Sequence, residues 1–207
     1  MCFIFLVLFK LITKDSMNIH TITNTIFHSK TYILTEEGNN ETWVIDCGDA
    51  LPVIEYINTN CLSLKGIFIT HSHFDHIYGL NDVVKKYPNV NIYTSEAGEK
   101  GLYNVKGNLS AYHEHPWAYG FKNIVVLTEQ AKLLVFDKLI GIYATPGHDV
   151  SCLSFKVDSH FFTGDSYIPG IKTFTLWPLS DKQEAVQSEK RVLEIVTKEN
   201  LIIKAGH

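Results

Sequence analysis

Six consecutive residues, His71 to His76, carry the side chains best suited to chemistry. Three of them are histidines and a fourth is Asp75, so the stretch offers four side chains that can bind a metal. Neutral imidazole and carboxylate together suit zinc, iron or manganese better than calcium or magnesium, which prefer oxygen ligands alone. A single histidine on an apolar face is usually structural, but this density of donors predicts a metal site.

The neighbouring residues indicate how these side chains are positioned. The apolar run over residues 66–70 is typical of a buried strand. On a regular strand His71 and His73 would point the same way, whereas Asp75 and His76 need a turn to join them. We therefore expect a strand followed at once by a tight loop. A His-rich tract is the alternative, but such tracts occur in biased or terminal segments, and this sequence is well mixed.

Length and composition bound the kind of protein. The chain has 207 residues, 45% of them hydrophobic and 19% charged, which predicts one ordinary globular domain. The net charge of -4 leaves no global basic surface for a phosphate backbone, so we expect no nucleic-acid partner. The four cysteines are scattered and form no C-x-x-C pair, which indicates reduced thiols in a cytoplasmic setting.

Residues 1–16 differ from the rest of the chain. Their apolar run, Cys2–Phe9, is much shorter than the roughly 20 residues that a membrane-spanning helix needs, so we expect no membrane partner. The run has no basic start before it and no small-x-small cleavage site after it. We interpret it as a mis-assigned start, with Met17 the true one, or as a poorly ordered extension of a domain over 17–207. Export through residues 1–16 is the alternative.

Periodicity predicts a chain rich in strands, with helices between several of them. The predicted strands cover 19–27, 31–35, 42–45, 64–70, 90–94, 124–127, 131–136, 139–144, 152–157, 160–163 and 201–203. The predicted helices cover 51–58, 77–87, 96–105 and 181–200, with Ser95 as the cap of the third. Residues 106–122 form an aromatic, irregular stretch between these elements.

The pattern His-x-His-x-Asp-His resembles the signature of the metallo-β-lactamase-fold hydrolases. Further motifs follow in that family's order, and together with the signature they cover about 17–207. These are Ile45-Asp46-Cys47-Gly48, Thr145-Pro146-Gly147-His148, Gly164-Asp165-Ser166 and Lys204-Ala205-Gly206-His207. The resemblance implies an α+β fold, a four-layer αββα sandwich in which two mixed β-sheets face each other with helices outside. It also implies a site at one edge, where loops from the strand ends meet.

The resemblance further implies the ligands of two metals. It puts His71, His73 and His148 on a first metal, Asp75, His76 and His207 on a second, and Asp165 between them. Asp75 is also the candidate proton shuttle. Asp46 is implied to buttress the metal loop, although a turn aspartate that caps the next helix is an equally good interpretation. The last motif departs from the family pattern, with Ala205 where proline is usual.

These residues, taken with the family, imply a hydrolase. Two divalent metals, zinc with iron or manganese as alternatives, would share a water, lower its pKa towards about 7 and so direct hydroxide at a carbonyl. Asp165, where the β-lactamases proper commonly have cysteine, is similar to the glyoxalase II-like enzymes. We expect the substrate to be a small-molecule thioester.

Other functions fit the same motifs. One is a lactonase or β-lactamase-like hydrolase acting on a cyclic carbonyl. Another is an iron persulfide dioxygenase, which would bind a single iron through His71, His148 and Asp165. A binding module without activity is a third, but relatives of that kind usually lose ligands.

One segment of the irregular stretch resembles a part of the family that borders the substrate cleft. Asn108-Leu109-Ser110 is similar to a segment of short glyoxalase II-like proteins, so Asn108, Trp117 and Tyr119 are the candidate cleft residues. Core packing is the alternative for the two aromatic residues, because aromatic side chains mostly bury area.

Overall fold

The computed structural model describes residues 17–207, which fold around two β-sheets. The first sheet has six strands that lie side by side in chain order. These are β1 (Met17–Thr23), β2 (Lys30–Glu36), β3 (Glu41–Ile45), β4 (Ser63–Phe68), β5 (Asn91–Thr94) and β6 (Ile124–Val126). The pairs β1–β2 and β2–β3 are antiparallel and the remaining pairs are parallel, so the sheet is mixed.

The second sheet has four strands in the order β12-β11-β10-β9. They are β9 (Gly141–Ala144), β10 (Leu153–Val157), β11 (His160–Gly164) and β12 (Ile202–Ala205). β9, β10 and β11 pair antiparallel, whereas β11 and β12 pair parallel, so this sheet is mixed as well. A separate small hairpin, β7 (Leu134–Val135) and β8 (Lys138–Leu139), precedes it.

Three helices connect the parallel strands of the first sheet, as parallel pairing requires. They are α1 (Ala50–Thr59), α2 (Leu80–Lys86) and α3 (Glu96–Leu102). Their apolar faces share one core cluster with residues of the sheet, for example Val53 and Val83 with Ile67. These helices therefore cover the outer face of the first sheet.

The fourth helix, α4 (Lys182–Glu199), lies against the second sheet. Its Val192 is fully buried, the Arg191 guanidinium lies 5.6 Å from the centre of the Tyr143 ring, and Ser188 donates a hydrogen bond to the Pro146 carbonyl. Asp181 caps the helix by accepting hydrogen bonds from the backbone amides of Gln183 and Glu184.

A second core cluster lies between the two sheets. Phe68 of β4 contacts Phe155 of β10 with ring centroids 5.2 Å apart, and Tyr32 of β2 meets Phe162 of β11 at 5.3 Å. Since helices cover both outer faces, the layers are helix, sheet, sheet, helix. The predicted αββα sandwich is confirmed.

Some predicted elements end earlier than expected. β1 ends at Thr23 rather than Phe27, because Phe27 and His28 have positive φ angles of 52° and 60°, which a strand does not allow. Of the predicted strand 131–136, only Leu134–Val135 is paired. The predicted extension over residues 1–16 lies outside the described residues. Within residues 17–207, no helix combines the length and apolar character needed to cross a bilayer.

The turn before His148 packs tightly against the start of α4. Gly147 has φ +128°, a conformation that side chains rarely adopt, and a Cβ atom there would collide with the backbone of Ala185. The Gly147 carbonyl also accepts a 2.8 Å hydrogen bond from the Asp181 backbone amide. This glycine therefore sets how close the turn and the helix approach.

We expect Gly147→Ala to lower the free energy of unfolding by about 3 kcal/mol or more, since it combines an unfavourable φ with a backbone collision. Gly170→Ala is the matched control, because Gly170 also has a positive φ (+79°) but open space around it. The control should cost only about 1–2 kcal/mol. Urea titrations of both variants measure the difference. Equal losses would contradict the tight packing at Gly147.

Candidate metal centre

The seven predicted ligands converge at one edge of the two sheets. They form three overlapping groups, and within each group the potential ligand atoms lie within 4.8 Å of one another. The groups are His71, His73 and His148; His71, His76 and Asp165; and Asp75, His76 and His207. The structure therefore brings together residues that are up to 136 positions apart, from His71 to His207.

Strand ends explain this convergence. The stretch 71–76 follows β4 and closes with a single 3-10 turn, Phe74–His76. Asp165 and His207 follow the ends of β11 and β12, which pair parallel with Gly164 opposite Ala205. Because parallel strands end at the same edge of a sheet, both side chains reach the same place.

Asp46 fixes the start and the end of the 71–76 loop. Its carboxylate accepts hydrogen bonds from the backbone amide and the hydroxyl of Thr70, both at 2.7 Å, and from Nδ1 of His76 at 2.9 Å. The Thr70 hydroxyl donates to Asp46, so it can accept from Nδ1 of His71, 3.1 Å away. Both histidines therefore turn Nε2 towards the centre.

Backbone carbonyls orient two further imidazoles. Nδ1 of His148 donates to the Phe174 carbonyl at 2.9 Å, and Nδ1 of His207 donates to the Phe27 carbonyl at 3.0 Å. A carbonyl can only accept, so in each ring the proton sits on Nδ1. In the neutral form of each ring, Nε2 then offers a lone pair to the centre.

His73 turns Nδ1 towards the centre, whereas the other four histidines turn Nε2. Its Nδ1 lies 2.9 Å from Nε2 of His148, whereas its Nε2 faces the Asp149 carboxylate at 3.4 Å. Asp149 is buried, and its other oxygen accepts from the Ser151 backbone amide at 2.8 Å. Sequence reasoning missed Asp149. Its only signal was its place directly after His148, which does not reveal that it contacts His73.

Unpaired buried atoms indicate that a cation fits this centre. Nε2 of His71, Nε2 of His76 and Oδ1 of Asp165 are buried without a hydrogen-bond partner. Such atoms are costly in a folded protein. The same three residues form one of the groups whose ligand atoms are mutually close. Imidazole nitrogen with carboxylate oxygen is a donor set that suits zinc, iron or manganese.

Electrostatics couples the imidazoles to the carboxylates. Burial disfavours protonated His76, but the charges of Asp75 and Asp165 outweigh burial and raise its pKa to about 9. Hydrogen bonds with Asp165 and Asp75 raise the pKa of His207 to about 10. Burial would raise the pKa of both carboxyl groups, yet the nearby histidines hold each pKa below its usual range. The carboxylates of Asp75 and Asp165 thus stabilise the protonated forms of His76 and His207, and a metal cation can take the place of those protons.

Burial has the larger effect on His71 and His148. It lowers the pKa of both imidazoles, and in His71 the other histidines lower it further. These two rings are therefore neutral at neutral pH. A neutral imidazole is the form that binds a metal.

A cavity of about 370 Å³ opens onto this centre. Besides five of the predicted ligands, its lining consists of Phe27, Phe74, Leu109, Tyr112, His113, Phe174 and Trp177. Of these seven residues, only Leu109 lies in the segment 108–110 that the sequence linked to the cleft, and none was a named candidate. Most of them lie on loops, where periodicity gives no information about which side chains meet.

The three predicted cleft residues do not line the cavity. The Asn108 amide donates to the Trp117 carbonyl, and the Tyr119 ring is buried with its hydroxyl donating to Asn123. The Trp117 ring lies behind Phe74, 6.4 Å between centroids. These residues support the wall, because their polar groups bind neighbouring backbone and side chains.

Comparison with known proteins agrees with this geometry. Residues 25–207 match the family model of the metallo-beta-lactamase superfamily. The chain is 32% identical to the hydroxyacylglutathione hydrolase of Pseudoalteromonas translucida over 140 residues, which are 67% of this chain and 46% of that protein. It therefore spans less than half the length of this relative.

Two solved structures are similar over nearly the whole chain. One is BLEG-1, a B3 metallo-beta-lactamase, with a TM-score of 0.83 and 21% identity over 92% of this chain and 91% of that one. The other is TTHA1623 in a di-iron-bound form, with a TM-score of 0.76 and 21% identity over 91% of each chain. At these identities the likeness concerns the fold.

The family model covers most of the chain, and the motif residues that characterise the family surround one centre. The resemblance inferred from the sequence is thereby confirmed, and the chain belongs to the metallo-beta-lactamase superfamily.

Proposed function

We propose that this chain is a metal-dependent hydrolase that cleaves a thioester. The observation that carries the proposal is the convergence of five imidazoles and two carboxylates at one edge of the fold. In this proposal His71, His73 and His148 would hold one divalent ion, Asp75, His76 and His207 would hold a second, and Asp165 would contribute to both. Zinc is the expected metal, with iron or manganese as alternatives.

The residues of the chain then have separate tasks. When bound, the metal pair supplies the Lewis acidity that activates water and polarises a carbonyl. Asp75 lines the cavity 3.4 Å from Nε2 of His207, where its carboxylate can accept a proton from the attacking water. Asp46, Phe174 and Phe27 hold three imidazoles in the required tautomer.

A thioester suits this arrangement. A thiol has a pKa of about 8.5, so a thiolate leaves without a strong general acid. The neighbouring histidines hold the pKa of Asp75 below its usual range, so its carboxylate stays ionised at neutral pH and carries no proton for a leaving group. The name of the curated relatives, hydroxyacylglutathione hydrolase, also denotes thioester cleavage.

We expect the purified, metal-loaded chain to hydrolyse a simple acyl thioester with kcat/KM at least about tenfold above that for a lactone or a β-lactam of similar size. Thiol release measures the first reaction and ring opening the other two.

His207→Ala should lose one of about two bound ions, counted by elemental mass spectrometry, together with most of the activity. His113→Ala, in the cavity wall but in none of the ligand groups, is the control for the metal count. Preference for a cyclic substrate, or one iron unchanged by His207→Ala with oxygen uptake on a persulfide, would overturn the proposal.

Asp149 provides a test of the ligand geometry. Asp149→Asn keeps the size of the side chain but removes the charge that faces Nε2 of His73. We expect the affinity for zinc to fall by about 10–100-fold, as is usual when the partner of a ligand histidine is lost. Competition with a chelating dye measures the change. Asp82→Asn, on the exposed surface of α2, should leave the affinity unaltered. Unchanged affinity in Asp149→Asn would show that this contact does not orient His73.

Metal affinity should also depend on pH. The pKa of His76 is raised to about 9 and that of His207 to about 10, so both must lose a proton before Nε2 can bind a metal. Raising the pH from neutrality towards 9 removes the competing protons, and the apparent zinc affinity should therefore increase. Dye competition at several pH values measures this increase. An affinity that is constant over the range would mean that these histidines do not hold the metal.

A further inference from the structure

The cavity above the metal centre has an apolar, aromatic wall. Apart from the predicted ligands, its lining contains five aromatic rings, one leucine and His113. The rings of Tyr112 and Trp177 are stacked, 6.3 Å between centroids with 26° between their planes, and Phe174 lies 5.6 Å from Trp177. On the other side, His113 contacts Phe74 at 4.7 Å and Phe27 at 5.6 Å. The cavity thus lies between two groups of rings.

Several of these rings are exposed to an unusual degree. Tyr112 is 69% exposed, Phe27 65%, Phe174 47% and Trp177 40%. A cluster of exposed aromatic side chains is generally a binding surface, since a folded protein gains nothing by leaving it in water. Here the cluster surrounds the opening to the metal centre.

The aromatic wall and the metal centre are held by the same backbone. The Phe174 carbonyl orients His148 and the Phe27 carbonyl orients His207. Each of these residues therefore contributes its carbonyl to a predicted ligand and its ring to the cavity. Because the carbonyl and the ring belong to the same residue, the distance between the aromatic wall and the metal centre is fixed. A group bound among the rings therefore has a defined position relative to the scissile bond.

The charges in the cavity select against ionised substrate groups. None of the described residues that line it is a lysine or an arginine, and its only carboxylates are the predicted ligands Asp75 and Asp165. Among the rings themselves only the His113 imidazole could pair with an ionised carboxylate, and a carboxylate left unpaired there is unfavourable. An apolar group there would leave water and gain contact area.

We propose that the ring-lined cavity binds an uncharged aromatic or aliphatic acyl group, so that the substrates are thioesters whose scissile carbonyl carries such a group. This inference rests on the proposed thioester hydrolysis. A volume of about 370 Å³ lies at the small end of the usual range for ligand pockets and accommodates a phenyl ring or a short alkyl chain.

The test varies the acyl group while the thiol stays the same. Thioesters of the uncharged thiol N-acetylcysteamine carry acetyl, pentanoyl, phenylacetyl or succinyl groups. The pentanoyl and succinyl compounds are similar in size but differ in charge. We expect kcat/KM for the phenylacetyl and pentanoyl compounds to exceed that for acetyl by at least about tenfold, with the succinyl compound the poorest. Equal values for all four, or a preference for succinyl, would overturn the inference.

Variants locate the preference in the cavity. Trp177→Ala should reduce the phenylacetyl-to-acetyl ratio of kcat/KM by about tenfold. Leu176→Ala is the matched control, because Leu176 is the adjacent residue, is 81% exposed and does not line the cavity. The control should keep the wild-type ratio. An unchanged ratio in Trp177→Ala and in Tyr112→Ala would place the preference elsewhere and refute the assignment.

A binding measurement separates this inference from the proposed reaction. N-phenyl-1-naphthylamine is an uncharged aromatic probe whose fluorescence rises in apolar surroundings. Titrated into the purified protein, it should bind at one saturable site that weakens in Trp177→Ala and persists in Leu176→Ala. Probe binding without thioester hydrolysis would refute the reaction and support the cavity. Thioester hydrolysis with neither acyl preference nor probe binding would support the reaction and refute the assignment of the cavity.

Discussion

The Asp46 carboxylate is the interaction on which the candidate centre depends. It binds Thr70 before the metal loop and His76 at its end, so one side chain sets the span of the loop. Asp46 itself has a positive φ of 56°, which costs about 1–3 kcal/mol for a residue other than glycine. Hydrogen bonds to a charged acceptor are strong enough to offset that strain. The left-handed conformation aims the carboxylate at the loop instead of continuing β3.

The two sheets contribute to the centre in different ways. The first sheet supplies one continuous loop with four donors after β4, whereas the second supplies three donors from separate strand ends. Phe68 and Phe155 pack between the sheets close to these ends and join the two halves. The geometry of the centre is therefore a property of sheet packing, and no single segment of the chain could form it.

The sequence predicted the parts of the fold that depend on local pattern or on an ordered set of motifs. The 71–76 loop could be predicted because its donors are nearly adjacent in the sequence. Asp165 and His207 could be predicted as ligands because each follows a predicted strand in the order typical of the family. Asp149 was not, because its contact with His73 joins two separate loops. Phe27 was placed in a strand, since nothing in its residue type indicates a positive φ. Contacts between side chains on different loops depend on tertiary structure, and the periodicity of the sequence does not indicate them.

The carbonyl groups of Phe27 and Phe174 have a consequence for how such a protein can change over time. Every amino acid carries a backbone carbonyl, so the imidazoles of His207 and His148 can keep their partners when the side chains at positions 27 and 174 change, although the positive φ of Phe27 disfavours proline and β-branched residues there. Mutation at these positions is thus free to reshape the cavity while the orientation of both imidazoles is inherited unchanged. The shape of the cavity and the geometry of the candidate metal centre can therefore vary independently at these two positions.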